Sequence, residues 1–310
     1  MRRFATRKPR GVARSGVGLG EGPSLGRCGF TVVELLVTIA IIALLIGLLV
    51  PTFRAVRQTG NQTLEMSAAR QLMVAYYNYA NAHKGAVLPG YWPGGQAWDA
   101  SGNPIDAVAA RRYPWRLAPY LDYNFRSMYL NENEDLLERL ENSDPVLYRR
   151  VVSLFPSLGL NATWIGGNAD QGGFPEDHED YILDYFGRFY VTRMTEARRP
   201  ESLMVFASAR GTDPDPALGN VFDEGEVVEG YYQISSPSFF GGYLWSEDFD
   251  PSDPPADYGY LSPRYGGSVV AVFLDSHVGL LTKKQLQDMR YWANDATSQD
   301  WTLVPPPPMP

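Results

Sequence analysis

The chain has little of what staples or metallates a small fold. Cys28 is its one cysteine in 310 residues. A lone thiol closes no intrachain disulfide, so an exported body must rest on its apolar core. Histidine is almost as scarce, and His83, His178 and His277 are scattered, which argues against a zinc site. Charge is missing from one stretch altogether: between Glu34 and Arg54 there is no Asp, Glu, Lys or Arg. Net positive charge is lacking too, since the chain sums to −8. Residues 1–29 carry seven basic side chains and one acid, which is +6 and leaves −14 on the remainder. A body this acidic repels phosphates, which excludes nucleic acid as a partner.

What is present is apolar. With 45% hydrophobic and 13% aromatic residues, the chain can bury a sizeable core in one or two domains. Residues 30–50 form the longest apolar run, and at 1.5 Å per residue they span about 31 Å as a helix, close to the hydrocarbon thickness of a bilayer. The run predicts a single transmembrane helix. The basic side chains before it keep the N-terminus cytoplasmic and send the body across the inner membrane. No small-residue cut site follows it at Val50-Pro51-Thr52-Phe53-Arg54, which argues against an ordinary cleaved signal. Glu34 is the exception within the run. An acid costs roughly 2.5–3.5 kcal/mol at the centre of a spanning helix and less near its end. Each Leu, Ile or Val returns about 0.3–0.6 kcal/mol, so insertion prevails, but the acid asks for a partner.

The stretch Arg27-Cys28-Gly29-Phe30-Thr31-Val32-Val33-Glu34, with the apolar run behind it, resembles the N-terminus of type IV prepilins and type II secretion pseudopilins. In that family a basic leader ends in Gly, a Phe opens the mature chain, and its fifth residue is Glu. Here those positions fall on Gly29, Phe30 and Glu34, and Pro51 falls where members often have a helix-kinking proline. The resemblance implies cleavage after Gly29 by a prepilin peptidase and N-methylation of Phe30. It also implies assembly with other pilin or pseudopilin subunits into a type IV pilus or a type II secretion pseudopilus. Cleavage would free an α-amine on Phe30, with an ordinary pKa of about 7.7–8.0. That cation can pair with Glu34 of a neighbouring subunit and fix the stagger between them.

The fold class expected is α+β. A long N-terminal helix, 30–83, divides into a transmembrane part, 30–50, and an amphipathic part, 51–83, that packs on an antiparallel β-sheet head of residues 84–300. Residues 1–29 are a leader to be removed, and 301–310 a proline-rich tail. In the amphipathic half, Leu64, Ala68, Leu72, Ala75, Tyr76 and Tyr79 form one apolar stripe. Residues 131–155 predict a helix, 202–208 and 268–274 two strands, 277–281 a return strand, and 283–292 a closing helix. The frame Tyr265, nine residues, Asp275-Ser276-His277-Val278 is similar to a C-terminal pattern of pilin-like proteins from planctomycete-type bacteria. Their pattern is His, nine residues, Asp-Gly, then His-Val. Tyr265 and Ser276 depart from it.

Candidate sites in the head are few. Asp275, Ser276 and His277 contain the residue types of a hydrolase triad, but neighbours on an extended chain point to opposite faces. Two acidic loops, 176–180 and 247–257, offer calcium candidates, chiefly Asp248, Asp250, Asp253 and Asp257, without an EF-hand spacing. Asn61 and Asn161 fit the N-glycosylation sequon. No convergent set of titratable groups marks an enzyme. The competing reading is a membrane-tethered binding or adhesion module that uses the prepilin segment only for export. Its mark would be a deep aromatic pocket in the head.

Overall fold

Thr31-Val32-Val33-Glu34 opens the first helix as a capping box. The Glu34 backbone N–H donates to the Thr31 hydroxyl at 3.2 Å, and the Glu34 carboxylate accepts from the Thr31 N–H at 2.9 Å. This computed structural model describes residues 31–129, 134–171, 173–174, 181–215 and 221–305. Helix α1, Val32–Ala82, belongs to two compact units, Met1–Phe53 and Arg54–Pro310, rather than standing as one long element of either.

In the first unit, every described side chain of 31–53 is exposed. Among the described residues, no helix is long and apolar enough to cross a membrane. Side chains are described without a break only over 31–48, because that of Leu49 lies outside the described residues; the sequence carries the apolar run on to Val50. Pro51 is helical in its backbone, and its side chain is likewise outside.

The second unit is mixed helix and antiparallel sheet. Its central sheet has the order β1 (Leu158–Leu160), β2 (Met204–Ser208), β5 (Ser268–Phe273), β6 (Val278–Thr282), each neighbour antiparallel. A two-stranded ribbon pairs β3 (Arg210–Gly211) with β4 (Val228–Glu229). All five residues of β2 are buried, as a strand covered on both faces requires. The C-terminal half of α1 covers one face. Tyr76 meets Phe206 edge-on with ring centroids 5.8 Å apart, and Tyr77 donates to the Leu274 carbonyl. The helix ends where Gly85, at φ +81°, donates its N–H to Ala80 at 2.8 Å, a left-handed cap that suits glycine. The β5–β6 hairpin turns through Ser276 at φ +72°.

Among the described residues, four short helices lie between α1 and β1: α2 (Ala107–Arg111), α3 (Tyr113–Leu117), α4 (Glu134–Ser143) and α5 (Pro145–Leu154). The helix expected over 131–155 is thus two. Pro145 opens α5, and the Asp144 side chain caps it by accepting from Leu147 N–H at 3.0 Å, so the chain breaks there. A sixth, α6 (Tyr181–Phe186), precedes β2. The closing helix is shorter than expected. Thr282 caps α7 (Lys283–Leu286), and the chain then turns into a 3₁₀ segment, Met289–Tyr291, capped by Asp288. Of the expected tail, 306–310 lie outside the described residues, and 301–303 pack on the head. Trp301 packs on Trp164 at 5.6 Å, and Leu303, buried, donates its N–H to Phe239 at 2.8 Å.

One correction concerns the stripe on α1. Ala68, Leu72, Ala75 and Tyr76 are buried as expected, together with Ala69, Met73 and Ala80, and Tyr79 is half-buried. Leu64 is exposed and its neighbour Glu65 is buried, which puts a carboxylate where an aliphatic side chain was expected.

Candidate functional site

The processing residues Gly29 and Phe30 lie outside the described residues. Glu34, the residue expected to set assembly register, is exposed at the start of α1. Its Oε2 accepts from both the N–H and the hydroxyl of Thr31, at 2.9 and 2.8 Å. Among the described residues the carboxylate is therefore a helix-capping group through Oε2 alone.

Glu65 sits at the centre of a polar cluster in the head. It is 1% exposed and lies on the face of α1 that meets the sheet. Arg264 clamps it with two bonds, Nε to Oε2 at 3.0 Å and Nη2 to Oε1 at 2.9 Å. This fork geometry is what a planar guanidinium offers a carboxylate. Ser208 at the end of β2 donates to Glu65 Oε1 at 2.6 Å and accepts from Val270 N–H at 2.9 Å. Tyr265 donates to Glu65 Oε2, and Arg264 Nη1 reaches Glu229 on β4, which also accepts from Ser262 at 2.8 Å. One buried acid thus ties α1 to β2, to the turn before β5 and, through Arg264, to the β3–β4 ribbon. Burial alone would lower the Arg264 pKa, but Glu65 and Glu229 beside it raise it instead. Burial and the same Glu65 carboxylate push the Tyr265 phenol up. Both shifts favour the protonated forms of Arg264 and Tyr265. A stripe with an acid at a core position, and an Arg-Tyr pair just before a Gly-Gly turn, were its signals in the sequence.

The acidic loop 247–257 does not gather its carboxylates. Asp250 bends back to accept from Ser252 N–H and Oγ at 2.8 and 2.7 Å. Arg210 fills the loop instead, donating to the carbonyls of Pro251 at 2.7 Å and of Asp250 and Asp253 at 3.2 Å. A guanidinium thus takes three backbone carbonyls of the loop. Among the described residues, no three His, Cys, Asp or Glu side chains group so as to hold a metal ion, Asp248, Asp250, Asp253 and Asp257 included. The other acidic loop, 176–180, lies outside the described residues.

Asp275 and His277 do meet, Oδ1 to Nδ1 at 2.6 Å across the hairpin, and the imidazole stacks on Phe273 at 4.2 Å. Ser276 takes no part, since its hydroxyl donates to the Asp275 carbonyl. The pair lacks a nucleophile and serves the turn. Asn161 is buried, and its amide donates to the carbonyls of Met204 and Trp292 at 2.9 and 3.0 Å, which leaves nothing for a glycan.

Two aromatic clefts open on the head. One, of about 690 Å³, is floored by the buried Trp245 and Met289 and walled by Tyr243, Glu247, Gln287 and Asp300. The other, of about 470 Å³, lies between the C-terminal end of α1 and α3, with Tyr79, Trp92, Trp98, Trp115 and Tyr120 around Arg116. Their sizes fall in the range of small-ligand sites. No protein-family model, curated protein or solved structure matches this chain.

Proposed function

We propose that the chain is a pilin- or pseudopilin-like structural subunit. A prepilin peptidase cuts it between Gly29 and Phe30, and Phe30 is N-methylated. The apolar part of α1 then holds the subunit in the inner membrane, with the head outside, and packs against other subunits in a type IV pilus or type II secretion pseudopilus. The observation that carries this reading is the state of residues 31–53. All their described side chains are exposed, although most are Val, Leu, Ile or Ala, and the only acid among them stands at the helix start. An apolar surface of this extent belongs against lipid or against copies of itself. The proposal assigns no catalysis to the head.

Mass spectrometry of the mature N-terminus is the test. The expected species begins at methylated Phe30. A chain retaining Met1, or beginning elsewhere, would refute the processing. Replacing Glu34 by Ala should leave membrane insertion intact and abolish filaments.

The two aromatic clefts support a second reading, a membrane-tethered binding or adhesion module that borrows the prepilin segment for export. It predicts a processed monomer that never assembles but binds a ligand. The two readings separate on whether Cys-substituted helices cross-link between subunits in the membrane.

A further inference from the structure

The cleft between the end of α1 and α3 is walled by rings: Tyr79, Trp92, Trp98, Trp115, Pro119 and Tyr120. Among the described residues no Asp or Glu lines it. Its arginine is spent inward. Arg116 gives Nε and Nη2 to the backbone carbonyls of Arg112, Arg111 and Gly90, and its Nη1 is buried. Trp115 likewise donates its indole N–H to the Arg149 carbonyl at 2.9 Å. The donors left over are the indole N–H groups of Trp92 and Trp98 and the Tyr120 hydroxyl, none of which has a hydrogen-bond partner among the described residues.

Trp98 is 50% exposed, yet its backbone is fixed. It bridges to Pro104, and Asp99 closes the turn between them by accepting from the N–H groups of Ser101 and Asn103 at 2.9 and 2.8 Å. Arg149 holds the same carboxylate at 2.6 Å, and Ile105 donates its N–H to Ala97 at 2.9 Å. A large ring kept at the surface by a rigid turn is preorganised, so little entropy is lost when a ligand covers it. Donors without carboxylate acceptors select the ligand. A sugar brings hydroxyl donors and finds no carboxylate to receive them. Consecutive prolines are the converse, with carbonyls, no N–H, and rings that pack on aromatic faces.

We propose that this cleft binds the proline run 305–308 of a second copy of the chain, with the indole N–H groups of Trp92 and Trp98 donating to proline carbonyls. The run is the longest in the sequence, and residues 301–310 carry no charged side chain, so the acidity of the head does not oppose its entry. It follows the buried Leu303, while Val304 is 63% exposed. Leu303 is bonded to Phe239, and Thr302 and Ser238 line the Trp245 cleft, so the run leaves the head beside that cleft. The Trp245 cleft is the poorer seat. Trp245 gives its N–H to the Ser235 carbonyl at 3.2 Å, and Glu247 and Asp300 add acceptors that proline cannot use. Tail to cleft is a heterologous contact, which propagates from copy to copy. It concerns the head alone and does not depend on processing at Gly29.

The test titrates the full chain in detergent micelles with the peptide Val-Pro-Pro-Pro-Pro-Met-Pro, against Val-Ala-Ala-Ala-Ala-Met-Ala, read by tryptophan fluorescence and calorimetry. Only the proline peptide is expected to bind. Trp98→Ala should weaken it about tenfold, the value of one lost ring contact. Trp98→Phe keeps a ring and deletes the N–H, and should weaken it about threefold. Tyr243→Ala, in the other cleft, should leave it unchanged. In the chain itself, p-benzoylphenylalanine in place of Met309 should give photo-cross-linked dimers that Trp98→Ala removes. Absence of binding, equal affinity for the alanine peptide, full affinity in either Trp98 variant, or a loss in Tyr243→Ala would each overturn the cleft assignment. A cross-link confined to one chain would overturn the second copy as its occupant.

Discussion

Residues 32–53 and strands β2 and β5 are built from the same kinds of side chain, chiefly Val, Leu, Ile, Ala and Phe. Their fates are opposite. In the strands these side chains are buried almost without exception, Phe206, Val270 and Val272 completely. In the helix every described one is exposed, Val32 by 75% and Leu44 by 66%. Burying a side chain of this size stabilises by about 1.5–3 kcal/mol. The strands collect that energy inside the head. Residues 32–53 leave it uncollected among the described residues, and the proposed function assigns it to lipid or another subunit. Apolar composition therefore says that a segment is covered, and only the fold says by what.

Cutting into the head's core should give the largest effect. Trp164 is fully buried, packs edge-on against Phe189 and Phe239 at 5.8 and 5.5 Å, and donates its indole N–H to Ser236 at 2.9 Å. Trp164→Ala should cost about 3–5 kcal/mol of head stability in denaturant melts followed by near-UV circular dichroism. The proposed membrane insertion of the helix should not change, because Trp164 and its contacts all lie within residues 54–310. Loss of insertion would break the comparison.

The Glu65–Arg264 clamp comes next. Removing one partner strands the other, and Glu65→Gln should cost about 3 kcal/mol, near the low end for buried pairs because Glu229 still holds Arg264. The double variant Glu65→Leu with Arg264→Met should recover most of the loss, since apolar replacements of buried pairs are often neutral. Costs that simply add in a double-mutant cycle would show that the two side chains act independently.

This clamp also marks the limit of what was legible in the sequence. The strands around β2 and β5 could be read from their apolar runs, and the start of α1 from its leader and apolar run. The inward face of α1 was legible at Ala68, Leu72, Ala75 and Tyr76 but not at its start. Leu64 and Glu65 are adjacent, and periodicity favours the leucine for the core. Tertiary pairing with Arg264, 199 positions away, decides for the acid. Arg116 was hidden for the same reason, because nothing local to it marks an arginine as buried. The calcium loop misled in the other direction: its acids were plain, but Arg210, which fills it, comes from a distant strand.

Acid should separate the two units more gently. Burial would raise the Glu196 pKa, but the backbone N–H groups of Thr192 and Arg193 bring it below the ordinary value. Arg290 holds Asp288 low in the same way. Folded pKa values below the unfolded ones give stability that is full above the ordinary carboxylate range and lost as pH falls through the folded values. The melting temperature of the head should thus be flat from about pH 7 to 5 and drop from about pH 4 downward. A head that melts higher at low pH would contradict this assignment.

The smallest change in stability comes with the sharpest change in assembly. Glu34 has two separable jobs: its carboxylate caps the helix through Thr31, and its charge is proposed to meet the Phe30 amine of a neighbour. Glutamine fills the same position of a capping box as well as glutamate does, so Glu34→Gln keeps the first job and deletes the second. The helix should lose at most a few tenths of a kcal/mol from its weakened dipole interaction, and the head nothing. Filaments should nevertheless fail, as in Glu34→Ala. Filaments that form normally with glutamine but not with alanine would reassign Glu34 to the cap alone and leave the stagger between subunits to apolar packing.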